Sequence, residues 1–188
     1  MFHREAVMWK RLIHANIVPF IGVILDPLQF VSEWMPGGDL TSYICLNPRA
    51  NRIDLVSPVL VPPRNRALFF CQLVDVARGL HYLHLCNVIH GDLKGVSTSP
   101  PGFWVSFIGT SQPNILVDSS GCARITDFGL ARNQEITYQT TTSYGHTARW
   151  TAPEVLGGDG VVSKKADVFA FAMVMIEVRC EKLLCIGL

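Results

Sequence analysis

Apolar residues at Phe2, Ala6, Trp9 and Ile13 recur at helical spacing and predict a helix over residues 2–12. Asn16 and Pro19 stop it, because proline removes a donor from the hydrogen-bond ladder. Residues 21–25 and 29–34 are short apolar runs separated by Asp26-Pro27, which predicts two strands and a turn. Pro36-Gly37-Gly38 breaks the chain, residues 41–46 form a short helix, and Pro48, Pro58, Pro62 and Pro63 mark a loop. The clearest helix covers residues 64–85. There Phe69, Leu73, Val76, Leu80 and Leu83 form one stripe, widened by Phe70, Val74 and Ala77, so this helix should face a core. Residues 115–118 and 123–126 predict a hairpin around Ser119-Ser120-Gly121, with the glycine supplying a positive φ. Ser163 is placed to cap a helix reaching residue 178. Residues 168–176 of that helix are apolar nearly all round, which predicts an enclosed, central position.

The chain has 188 residues, enough for one domain, or one domain and a fragment of another, to bury a real core. Its 49% hydrophobic and 16% charged residues exclude a disordered, acidic or collagen-like chain. Sixteen Lys+Arg against fifteen Asp+Glu leave no electrostatic footprint for nucleic acid or an anionic membrane. The longest apolar runs, residues 17–25 and 168–176, are nine residues each. A bilayer-crossing helix needs about 20. Residues 1–5 lack the pattern of a secretory signal. The six cysteines are scattered with no Cys-x-x-Cys pair, so reduced thiols in the cytoplasm or nucleus are expected rather than a disulfide framework or zinc site.

Four short motifs then change the picture. His90-Gly91-Asp92-Leu93-Lys94, Asn114 opening a strand, Asp127-Phe128-Gly129 and Ala152-Pro153-Glu154 occur in one order. Each alone is common, but together they closely resemble the signature set of the protein kinases. Phe2-x-x-Glu5 with Leu12-Ile13-His14 and Asn16-Ile17-Val18 resembles the kinase helix C and the strand after it. The stretch from Glu33-Trp34-Met35 to Asp39-Leu40 resembles the hinge that holds adenine. Gly79-Leu80-His81-Tyr82-Leu83-His84 resembles the end of helix E, and Asp167-Val168-Phe169-Ala170-Phe171 the start of helix F. Arg149-Trp150-Thr151 is similar to tyrosine kinases, whereas Asp92-Leu93-Lys94 is the serine/threonine form. That mixture resembles the tyrosine-kinase-like group, and His-Gly-Asp-Leu-Lys-Gly its fungal members.

The resemblance implies an α+β fold, part of the two-lobed kinase architecture over residues 1–178 (αC to αF in the family's lettering). It implies transfer of the ATP γ-phosphate to Ser or Thr, or to Tyr, of protein substrates with Mg²⁺, in a signalling role. Such chemistry asks the protein mostly for positioning and charge neutralisation. Asp92 would accept or orient the substrate hydroxyl proton, and Lys94 would neutralise the transferred phosphoryl. Asn114 and Asp127 would hold Mg²⁺ with hard oxygen donors. Glu5 would anchor the phosphate-gripping lysine, and Glu33, Met35 and Asp39 would line the nucleotide site. Ser32 is either an opener of the pocket behind adenine or an ordinary strand residue. His81 and His84 share the spacing of metal ligands but, lacking further ligands, are expected as packing residues. Thr137, Tyr138, Thr140, Thr141, Thr142, Ser143 and Tyr144 could receive phosphate, although a solvated loop is the default.

Three departures bear on activity. The chain begins within helix C, so the glycine-rich loop and ATP-binding lysine are expected outside it, leaving Glu5 without its partner. Asp92 and Asn114 are 22 positions apart, where kinases have five. The extra 17 residues, 96–112, read as an insert. Val96-Ser97 and Gln112 can be encoded as splice-donor and splice-acceptor sequences, which makes a short intron translated in frame the leading expectation and a genuine insertion the alternative. Finally, the chain ends soon after helix F: the partner of Glu154 is expected beyond it, and residues 179–188 form an unmatched tail. Gly91 replaces the usual arginine that receives an activation-loop phosphate, so switching by that route is not expected. An impaired kinase fragment is therefore expected. The alternatives are a non-catalytic, pseudokinase-like binding module or a mis-spliced gene product.

Overall fold

A computed structural model describes residues 2–47, 63–95, 113–133, 149–156 and 162–180. The insert, the cluster from Thr137 to Tyr144 and the tail beyond residue 180 lie outside the described residues, as do the side chains of Phe69 and Phe70.

The predicted elements appear in order, joined by three two-residue strands and a four-residue helix that the sequence pattern did not predict. Helix α1 (Phe2–Arg11) precedes the strands β1 (Phe20–Leu25) and β2 (Leu28–Ser32). These two pair antiparallel with a bulge between Phe20 and Gly22, and Asp26-Pro27 at their turn is cis. A two-residue strand β3 (Gly38–Asp39) leads into α2 (Leu40–Leu46). The long helix α3 (Pro63–Leu85) and the strand β4 (Val88–Ile89) follow. Strands β5 (Ile115–Val117) and β6 (Ala123–Ile125) form the expected hairpin, and β3 adds to its edge in the order β3-β5-β6. Strand β7 (Arg132–Asn133) pairs with β4, and the chain continues through α4 (Pro153–Leu156) and α5 (Lys164–Cys180).

Local chemistry accounts for several boundaries. Asp39 adopts an extended conformation and its Oδ1 accepts from Ser42 N at 2.8 Å, satisfying one of the unpaired amides that open α2. Ser163 Oγ accepts from Ala166 N at 3.3 Å and caps α5 as its position predicted. Gly121 has φ +84°, the left-handed value the hairpin turn requires. Asp118 leaves the predicted strand to hold that turn. Its Oδ1 accepts from Ser120 N and Cys122 N, and its Oδ2 from Arg124 Nε. Burial alone would raise its pKa, but the hydrogen bonds from Ser120, Arg124 and Cys122 hold it down at about 2.

Among the described residues a main core is joined by a smaller cluster of Ile89, Ala152, Val155, Val162 and Ala166. Leu73, Val76, Leu80 and Leu83 of α3 are buried against Ile115, Ile125 and Val18. Each such aliphatic side chain contributes roughly 1.5–3 kcal/mol by leaving water. The α3 stripe is narrower than its sequence suggests: Val74 is exposed and Ala77 half-buried. Helix α5 departs further from expectation. Ala166, Ala170, Val174 and Val178 are buried, but Val168 and Ile176 stay more than half exposed. The helix is thus covered on one face rather than enclosed. Residues 16–18 bind α1 to the hairpin, with Asn16 O accepting from Ile125 N and Val18 N donating to Ile125 O, both at 2.9 Å. Gly79 allows α3 to approach this connection, since a Cβ there would lie 2.7 Å from Asn16 O.

Candidate active site

The short strand β4 delivers His90-Gly91-Asp92-Leu93-Lys94 to the junction between α5 and the β5–β6 hairpin. The loop's backbone is held by one buried carboxylate. Asp167, 1% exposed, accepts from His90 N at 2.9 Å on Oδ2 and from Gly91 N at 2.9 Å on Oδ1. His84 Nε2 reaches the same Oδ2 at 2.8 Å. His84 is therefore a polar partner rather than the packing residue expected of it, and His81 is exposed. Gly91 has φ +80°, where a side chain would be strained, and a Cβ would lie 3.2 Å from Leu130 O.

His90 is fully buried and fixes the next residue. Its Nε2 donates to Thr126 O at 3.0 Å, which leaves Nδ1 to accept from Asp92 N at 3.3 Å, the tautomer assigned from these partners. Its ring packs on Phe128 at 5.6 Å, and Phe128 packs on Trp9 of α1 at 5.5 Å. The Asp-Phe-Gly segment is thereby gripped between α1 and the loop of residues 90–94.

Three of the predicted residues meet at Asp92. Lys94 Nζ donates to Asp92 Oδ2 at 2.5 Å, and Asn114 Nδ2 donates to the same oxygen at 3.2 Å and to Asp92 O at 2.5 Å. The Lys94 side chain is 3% exposed and that of Asp92 is 13% exposed. Among the described residues Asp92 Oδ1 receives no hydrogen bond. Asn114 Oδ1 is buried with no hydrogen-bond partner among the described residues. An unmatched buried acceptor is costly, about 1–3 kcal/mol, and such a site suits a cation.

A second pair of carboxylates lies at Asp-Phe-Gly. Asp127 is exposed, holds φ 60° and accepts from Gly129 N at 3.3 Å. A Cβ on Gly129 would sit 3.3 Å from Asp127 Oδ1 and 3.6 Å from both Glu5 carboxylate oxygens, so the two acids flank this glycine. Burial and then the charge of Asp127 push the Glu5 carboxyl up to about 7. Both acids provide hard oxygen donors, and their mutual repulsion favours a cation nearby.

Among the described residues no hydrogen bond joins the predicted hinge residues to this centre. Glu33 is exposed and its N–H donates to Pro19 O at 3.1 Å, tying the end of β2 to the chain before β1. Met35 is buried, and its carbonyl accepts from Gly38 N at 3.1 Å. Asp39 spends one carboxylate oxygen on the cap of α2. Ser32 is half-buried at the end of β2, paired with Phe20. Asp167 and Thr126 were not singled out as site residues from the sequence. An acid in the first turn of α5 is visible there, but first-turn acids are common, so the pattern alone did not mark it.

Among the described residues no group of three or more His, Cys, Asp or Glu could hold a metal ion unaided, and no helix is long and apolar enough to cross a membrane.

Residues 1–96 and 110–182 match the sequence profile of the family described as "Protein tyrosine and serine/threonine kinase". The chain is 33% identical over 180 residues to the probable serine/threonine-protein kinase SIS8 of Arabidopsis thaliana, covering 94% of this chain and 14% of the relative. It is 32% identical to the serine/threonine-protein kinase CTR1 of the same plant, covering 94% of this chain and 18% of the relative. Similarity to the discoidin domain-containing receptor tyrosine kinase B of Caenorhabditis elegans is 32% over 182 residues, 94% of this chain and 19% of that protein. The chain thus spans less than a fifth of each of these three proteins.

Proposed function

Because this chain belongs to the family of protein tyrosine and serine/threonine kinases, we propose that it serves transfer of the ATP γ-phosphate to a serine or threonine hydroxyl of a protein substrate. The observation that carries this reading is the meeting of Lys94 and Asn114 on Asp92 Oδ2 beside the unpartnered Asn114 Oδ1.

In the transfer, the substrate oxygen forms a bond to the γ-phosphorus while the bond to the bridging oxygen of ADP breaks. Asp92 takes or orients the hydroxyl proton through Oδ1, held in place by the His90 ring and by Asp167. Lys94 meets negative charge on the moving phosphoryl from a buried position, where its charge is screened little. Asn114 Oδ1 and the carboxylate of Asp127 are the oxygen donors suited to Mg²⁺, and the orphaned acceptor is the feature that fits it. Mg²⁺ bound there would neutralise phosphate charge. Glu5, facing Asp127 across Gly129, anchors a cationic group of the nucleotide site, and the segment from Glu33 to Met35 borders adenine.

A second reading, a kinase-like module that binds a partner without catalysis, is favoured by one observation, the 22 positions separating Asp92 from Asn114. Thermal unfolding with and without Mg-ATP, together with transfer of labelled phosphate to a general protein substrate, discriminates. Stabilisation by nucleotide with weak transfer, as an impaired kinase would show, abolished by Asp92→Asn is the expected result. No stabilisation at millimolar Mg-ATP favours the binding module.

A further inference from the structure

The chain leaves the catalytic loop after Gly95 and re-enters it at Pro113, and the two sides are hydrogen-bonded to each other. Asn114 N donates to Lys94 O at 3.1 Å, and Asn114 Nδ2 donates to Asp92 O at 2.5 Å. Each side is also held by a different element. Thr41 Oγ1 of α2 donates to Gly95 O at 3.1 Å, while Asn114 O accepts from Thr126 N at 3.0 Å. Gly95 is packed so closely that a Cβ would lie 2.7 Å from Glu177 Oε2.

A bond from the N–H of a fourth residue to the carbonyl of the first is the closing bond of a β-turn. Lys94, Gly95, Pro113 and Asn114 would be four consecutive residues if 96–112 were removed. Their closing bond, from Asn114 N to Lys94 O, is already made. Independently, the family profile stops matching at residue 96 and resumes at residue 110.

We infer that residues 96–112 interrupt a turn that is complete without them, so that a chain lacking them keeps both the fold and the Asp92–Lys94–Asn114 arrangement. Chain entropy favours the shorter form. Bringing two fixed ends together costs more as the intervening chain lengthens, and the increase is logarithmic. Removing the segment shortens that connection and leaves in place the bonds of Asn114 to Lys94 and Asp92, of Thr41 to Gly95 and of Thr126 to Asn114. The inference concerns folding and does not depend on the proposed catalysis.

Three forms of the full-length protein test it by thermal unfolding: the natural chain, a deletion of 96–112, and a replacement of 96–112 by a Gly/Ser linker of equal length. A second deletion, of 97–113, joins Val96 to Asn114 and so avoids a Gly-Pro junction, whose restricted backbone could itself strain the turn. The linker form should melt within about 2 °C of the natural chain, and at least one deletion about 3–7 °C above it. A linker form melting further below the natural chain would show that the segment's own side chains hold the fold, and would overturn the inference. So would failure of both deletions to reach the natural melting temperature. Mg-ATP titration of the same proteins keeps the two readings separate. Loss of binding in the deletions alone counts against the inference, whereas absence of binding in every form counts against the kinase reading and leaves the melting comparison to decide.

Discussion

The buried carboxylate of Asp167 accepts the backbone N–H of Gly91 at 2.9 Å, tying α5 to the loop of residues 90–94 directly beside Asp92. It also accepts from His90 N and His84 Nε2, so one side chain satisfies three donors. Asp167→Ala leaves all of them without this acceptor in a site from which water is largely excluded. A loss of about 3 kcal/mol is expected, at 1–3 kcal/mol for each stranded buried group with partial relaxation. Asp167→Asn keeps one acceptor oxygen and should recover part of it. Chemical denaturation of the two variants checks the order, and equal losses would refute the acceptor argument.

His90 tests packing against hydrogen bonding. His90→Phe preserves an aromatic ring against Phe128 but strands Thr126 O and Asp92 N, which the imidazole now satisfies. The expected cost is about 2 kcal/mol, dominated by those polar groups. If the substitution leaves the urea midpoint unchanged, packing alone is what the residue provides.

Glu5 gives a pH signature of defined sign. Its carboxyl is raised from 4.5 to about 7 by burial and by Asp127, so between these values the folded protein holds a proton that the unfolded chain releases. Stability from this group is therefore fully present below about 4.5 and declines as pH rises through 7. The group is partly open to solvent, which reduces the effect. Melting temperatures between pH 5 and pH 8 should fall more for the natural chain than for Glu5→Gln. Parallel profiles would contradict the proposed carboxylate opposition.

Gly79 sets two small effects against each other. Alanine in a helix interior gains up to about 1 kcal/mol over glycine. At this position, however, the Cβ would lie 2.7 Å from the backbone oxygen of Asn16, which is itself bonded to Ile125 N. Overpacking against backbone typically costs 1–3 kcal/mol, so Gly79→Ala should be net destabilising by about 1 kcal/mol. A stabilised variant would mean that the α3 contact yields easily.

Much of the architecture is legible along the chain, because periodicity and turn chemistry act over a few residues. The helix of α3, the β5–β6 hairpin with Gly121 at positive φ, and the Ser163 cap all follow from local pattern. The motif residues Asp92, Lys94 and Asn114 were named from their order and do meet, although 22 positions separate the first from the last. The enclosure expected of α5 was less successful: Val168 and Ile176 are exposed. An all-round apolar pattern records what a helix can bury, whereas coverage depends on what packs against it.

The sequence by itself determined the family, the order of the longer elements and the residue types that meet at Asp92. Those properties reside in residue types and short spacings. Only the tertiary structure decided that Asp167 carries the backbone of the loop at His90 and Gly91, that the ring of His90 aims the amide of Asp92, and that Glu5 opposes Asp127 across Gly129. It also decided that Lys94 and Asn114 remain bonded across the intervening residues. These relations join residues far apart in the chain, and their strength comes from burial, which raises the cost of any unmatched charge or hydrogen bond and so selects one arrangement.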